Sequence, residues 1–138
     1  MSDQFELFPT GLAKSQLNVL TEYAEATAGL SPEQLVAEAK QHLEDAKTAY
    51  QSNYMVNVEL AAAIAGSIES AIARWDSLSE SQRSWLSGAV RYFSSSDDDE
   101  PDFDSPLGFE DDVEVLNACL KFAGMEHLQL NAEDYDDA

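Results

Sequence analysis

SPEQLVAEAKQHLEDAKTAY, residues 31–50, decides how the rest of the chain is read. Ser31 can accept a hydrogen bond from the backbone of Gln34, and Gln34 can reach back to Ser31. Pro32 holds the first helical position with its φ already set, so a helix starts here. Apolar residues then recur at Leu35, Ala39, Leu43, Ala46 and Tyr50, which is the period of a helix with one buried stripe. Glu33, Glu38, Lys40, Glu44 and Lys47 fall elsewhere and are expected to face water, as is His42, which lies off the stripe.

The same signals extend in both directions. Upstream, a helix is predicted from about Leu12 to Ala28, with Leu17, Leu20 and Ala24 inward and Gly29 as its stop. Downstream, Val56 to Trp75 lines up Leu60, Ile64, Ile68 and Ile72 among Ala61, Ala62, Ala63, Ala65 and Gly66. Being apolar on most sides, this helix is expected at the centre, its small residues admitting a close neighbour. A second capping pair, Ser79 with Gln82, opens a helix whose inner face is Trp85, Leu86, Ala89, Val90 and Phe93, and Ser94 to Ser96 end it. A fifth helix follows from about Asp111 to Ala123, with Val113, Leu116 and Leu120 inward and Gly124 as the stop.

No alternating β-branched run is bounded by turn residues, so the expected class is all-α. The architecture read from these signals is a single compact bundle of about five helices, with an acidic, anchored loop between the last two. One domain spans residues 1–138, with flexible tails expected at about 1–10 and 131–138.

Composition narrows the function classes. A hydrophobic share of 44%, with Trp75 and Trp85, is that of a chain with a core. Against 27 acidic residues stand seven basic ones, a net charge of −20, and from Asp97 onward Lys121 is the sole base among fifteen acids. Such a field repels phosphate and anionic lipid and attracts cations and basic proteins, so neither nucleic acid nor a membrane is an expected partner. The plainer reading is that the acids serve solubility alone. Cys119 is the single cysteine, which excludes an intramolecular disulfide, and MSDQFELFPTG lacks the pattern of a signal peptide, so the cytoplasm is the expected location. The most apolar stretch, Leu60 to Ala73, is short and interrupted by Glu69.

Chemistry concentrates in YFSSSDDDEPDFDSPLGFEDD, residues 92–112, with nine acids between two helices. If the segment folds back on the fifth helix, Asp98, Asp102, Asp111 and Asp112 converge as ligands for a divalent cation, Ca²⁺ or Mg²⁺. The competing reading has Asp111 or Asp112 capping the fifth helix, while Pro101, Phe103, Leu107, Gly108 and Phe109 anchor the segment to the core. An EF-hand loop beginning at Asp98 needs Gly where Phe103 stands and Glu where Phe109 stands. His42 and His127 lack zinc-ligand spacing. Cys119, beside Leu120 and Phe122, reads as a packing residue. With no phosphate loop, nucleophile elbow or His-Glu-x-x-His, the chain nominates no catalytic or cofactor-binding residue.

The order and spacing of Tyr92, Phe93, Asp98, Pro101, Asp102, Phe103, Leu107, Gly108, Phe109, Asp111 and Asp112 resembles the signature of the YkvA-like bacterial family, whose role is unsettled. Asp99, Glu100 and Asp104 stand where that family carries apolar residues, and its members often add a membrane-associated helix. The resemblance therefore implies a soluble, acidic bacterial variant. The resulting expectation is a non-catalytic cytoplasmic interaction protein. Its surface of Asp97, Asp98, Asp99, Glu100 and Asp104 would dock on a basic protein, in the manner of an inhibitor or immunity protein. The alternative is a regulatory or weakly hydrolytic divalent-cation module centred on Asp98 to Asp112.

Overall fold

The computed structural model describes residues 8–51, 58–94 and 110–131, and every regular element among them is helical. Helix α1 is Lys14–Ala26, α2 Pro32–Tyr50, α3 Val58–Ile72, α4 Glu80–Ser94 and α5 Glu110–Phe122, with short 3-10 turns at Trp75–Ser77 and Glu126–Leu128. The chain is thus the all-α bundle that its periodicity predicts. No helix among the described residues is long and apolar enough to cross a membrane. Residues 1–7 and 132–138, most of the expected tails, lie outside the described residues, and Pro9 is buried.

The starts and stops follow local chemistry. At α2 the Ser31 hydroxyl accepts from the Gln34 N–H at 3.1 Å and the Gln34 side chain accepts from the Ser31 N–H at 2.9 Å. The same reciprocal pair opens α4, with Ser79 and Gln82 bonded at 3.1 and 2.8 Å. Gln82 then spends its amide nitrogen on the Phe122 carbonyl, 3.3 Å away, tying the start of α4 to the end of α5. After α1 the chain reverses through Gly29, at φ 92°, in a turn closed by the Leu30 N–H on the Thr27 carbonyl. Helix α5 ends with Gly124 at φ 76°, the Gly124 N–H on the Lys121 carbonyl and the Met125 N–H on the Leu120 carbonyl. This is a Schellman stop, and it turns Met125 into the core.

Packing corrects two expectations. The central helix is α4 and not α3: α1, α2 and α5 all pack on α4, which buries Leu86, Ala89, Val90, Tyr92 and Phe93. Helix α3 lies mainly on α2, burying Leu60, Ile64 and Ile68 while leaving Ala62 and Gly66 exposed. Apolar composition misleads here because Ala and Gly bury little area, so a face made of them gives small reward for being covered. A close approach is made at Gly88 of α4 and not at Gly66 of α3, while Ala61 and Ala65 of α3 are buried. At Gly88 an added Cβ would lie 3.0–3.1 Å from the backbone and Cβ of Ala24 in α1, whereas one at Gly66 would meet nothing within 4 Å.

The stripe of α2 is also shifted. His42, expected in water, is 4% exposed, and its ring meets Phe93 edge-on at 4.8 Å, whereas Tyr50 is 43% exposed and Leu43 only half-buried. Leu35, Ala39, His42 and Ala46 keep the helical period as well as the all-apolar set does, and Phe93 gives the imidazole an aromatic partner. Glu38 is drawn inward from its expected solvent position by Arg91.

Beyond α5 the chain is strapped down. The Asn117 side chain donates to the Leu130 carbonyl at 2.7 Å and accepts from the Leu130 N–H at 2.9 Å. The Ser67 hydroxyl donates to the Leu128 carbonyl at 2.8 Å, joining this strap to α3.

Candidate functional site

Helix α4 ends at Ser94 and α5 begins at Glu110, so the acidic segment leaves and returns at one end of the bundle. The segment itself lies outside the described residues. With it go the surface acids Asp97, Asp98, Asp99, Glu100 and Asp104, the candidate ligand Asp102, and the anchors Pro101, Phe103, Leu107, Gly108 and Phe109. The described residues that flank it are the last turn of α4, the first turn of α5, and the helices packed beside them.

Tyr92 and Phe93 point to different neighbours. On the α1 and α5 side, the Tyr92 hydroxyl donates to the Asp111 carboxylate, joining two residues that are 19 apart in sequence. Its ring meets Tyr23 edge-on at 6.1 Å. The Gln16 amide donates to the same carboxylate and, at 2.8 Å, to Glu114, while its oxygen accepts from the Ala13 N–H at the start of α1. Asp111 and Glu114 share one face of α5, and donors between them offset the repulsion of two like charges.

Asp112, the next residue round the helix, is 3% exposed, whereas Asp111 is exposed. Neighbouring helical residues do not face each other, so this pair does not aim at a common point. Because the helix is already formed at Glu110, both lie within its first turn and not at the cap expected from the sequence. Carboxylates there still complement the positive end of the helix dipole. No cluster of three or more potential His, Cys, Asp or Glu metal ligands gathers among the described residues.

On the α2 side, the Arg91 guanidinium grips Glu38 with two hydrogen bonds of 3.0 and 2.9 Å, and the Ser94 hydroxyl donates to the same carboxylate at 3.3 Å. The bond to Glu38 raises the Arg91 pKa further above its ordinary value, against an opposing effect of burial. These groups, with His42, Gln41 and Asp45, line a surface pocket of about 270 Å³ in which the cation is already paired.

Cys119 is buried, with its thiol 3.4 Å from the Trp85 carbonyl, and burial pushes its pKa far above the ordinary thiol range. It packs, as its neighbours in the sequence suggest, and is no nucleophile at neutral pH.

Sequence reasoning marked Tyr92 and Asp111 but missed Gln16, Glu114, Glu38 and Arg91. Gln16 meets its partners across 95 and 98 residues, and no local pattern carries such a pairing. No protein-family model, curated protein or solved structure matches the chain.

Proposed function

We propose that this is a non-catalytic interaction module, a cytoplasmic bacterial protein related to the YkvA-like family, whose acidic end docks on a basic protein. The observation that carries the reading is the gathering of negative charge at one end of the bundle. Residues 95–109 carry six acids, and the helix ends that bound them have Glu38, Asp45, Asp111 and Glu114 beside them. Seven basic side chains against 27 acidic ones leave most of this field uncompensated. Arg91 pairs with Glu38, Lys47 with Glu44, Lys40 with Glu69, and Arg83 lies over Trp75. Charge of one sign held on a rigid frame accelerates encounter with an oppositely charged partner and rejects acidic ones. Occupation of a nuclease or other nucleic-acid-binding groove, as by an inhibitor or immunity protein, is the use that fits this chemistry.

The test is capture from lysate at low and high salt by the wild-type protein and by D97K/D98K/D99K/E100K, followed by titration of each purified captured protein. Wild type should bind a basic protein at low salt and lose it at high salt, and the reversed variant should not bind it. Equal capture by both would sink the reading. Melting in EDTA, Mg²⁺ and Ca²⁺ separates the cation alternative: a specific site gives roughly 3 kcal/mol at a hundredfold excess over its Kd, whereas any salt would act equally on diffuse charge.

A further inference from the structure

We infer that a second surface, a groove between the start of α2 and the end of α3, is a docking site for a short basic peptide segment carrying one large apolar side chain. Val36, Ile72 and Trp75 form the apolar lining, Glu33, Glu69 and Asp76 carry the charge around it, and the groove holds about 510 Å³. The volume suits one large side chain together with the backbone on either side of it, and the three carboxylates lie where flanking Lys or Arg side chains would reach.

Trp75 is tied to Arg83 through both its backbone and its ring. Its carbonyl accepts from the Arg83 Nε–H at 2.9 Å, and the Arg83 guanidinium lies over its ring at 5.5 Å from the centroid. A half-buried indole packed under a guanidinium is the kind of large side chain that carries most of the energy of a small interface. Glu69 has a cationic neighbour, Lys40 at 3.5 Å, but both side chains are more than half exposed, so an incoming cation competes with a weak pair.

Charge selects among occupants. Residues 1–7, 95–109 and 132–138 carry acids and no base and are repelled by the carboxylates, and residues 52–57 carry no charge for the carboxylates to attract. A second copy brings another −20 and is repelled in the same way. A basic segment is attracted by the charge and held by the lining. The inference does not rest on the acidic residues 95–109, because the groove is lined by α2, α3 and the turn that follows α3.

The test is fluorescence anisotropy with a fluorescein-labelled peptide of four Lys residues around a central Phe, and with the same peptide carrying Gly for Phe. The Phe probe should bind saturably and more tightly than the Gly probe. E33Q/E69Q/D76N should weaken the Phe probe about tenfold, the sum expected of three exposed ion pairs, and V36R, which fills the groove, should abolish its advantage over the Gly probe. D97N/D98N/D99N/E100Q should leave the ratio of the two probes unchanged, which separates this groove from the acidic end. Equal binding of the two probes, or an unchanged affinity in E33Q/E69Q/D76N, would reduce the effect to diffuse attraction and overturn the inference. A dimer in sedimentation that V36R dissociates would assign the groove to a second copy and overturn it as well. If V36R melts below wild type, the triple neutralisation decides alone.

Discussion

Gly88 and Gly66 both sit inside helices, and the same substitution should act on them in opposite directions. Ala at Gly88 drives a Cβ against the Ala24 backbone. Overpacking of about 1–3 kcal/mol there exceeds the gain in helix propensity of about 1 kcal/mol, so Gly88→Ala should lower stability in urea unfolding. At Gly66 nothing opposes the new methyl, and Gly66→Ala should add roughly 0.5–1 kcal/mol. Equal effects would mean that α1 and α4 separate easily. Cys119 gives a pH prediction: burial raises its folded pKa, so its stabilising effect is complete below the unfolded thiol value of about 8.5 and is lost as pH rises beyond it. The wild-type melting temperature should therefore fall more steeply above that pH than that of Cys119→Ala, and parallel curves would refute it. Cys119 was legible because its neighbours are apolar. His42 was not, since a pattern of apolar positions has no place for an imidazole whose partner, Phe93, arrives from another helix.

Among elements, the junction of α4 with α5 offers the sharpest test. Tyr92→Phe and Asp111→Asn should each cost about 1 kcal/mol, and the double variant should cost less than their sum, since both remove one hydrogen bond. Strict additivity would show that the two groups do not interact in solution. The helices themselves could be read from Ser31 with Gln34, Ser79 with Gln82, and Gly124, because caps depend on residues three or four apart. Which helix becomes the hub could not. That depends on how much area each face covers against its neighbours, and the Ala-rich α3 matched the composition of a central helix without its bulk. The Gln16 bridge to α5 was hidden for a related reason, being fixed only once α1 and α5 are side by side.

At the scale of the molecule, charge of one sign opposes compaction. The variant D97K/D98K/D99K/E100K should melt at a higher temperature than wild type in low salt, and the gap should close toward about 1 M salt, where the Debye length falls to about 3 Å. A lower melting temperature would show that these acids make specific contacts that self-repulsion does not describe. The fold class was legible from periodicity, whereas the acidic end was legible only as composition, because its geometry depends on where two distant helix ends meet. That meeting has a consequence for the chain as a polymer. Tyr92 and Asp111 tie together the two helix ends that bound residues 95–109. Where the ends of a chain segment are held together, closure entropy grows only by about 0.6 kcal/mol for each doubling of the length between them. The span can therefore lengthen or be rewritten in sequence, outside any positions that bury, while the helices beneath it fold much as before.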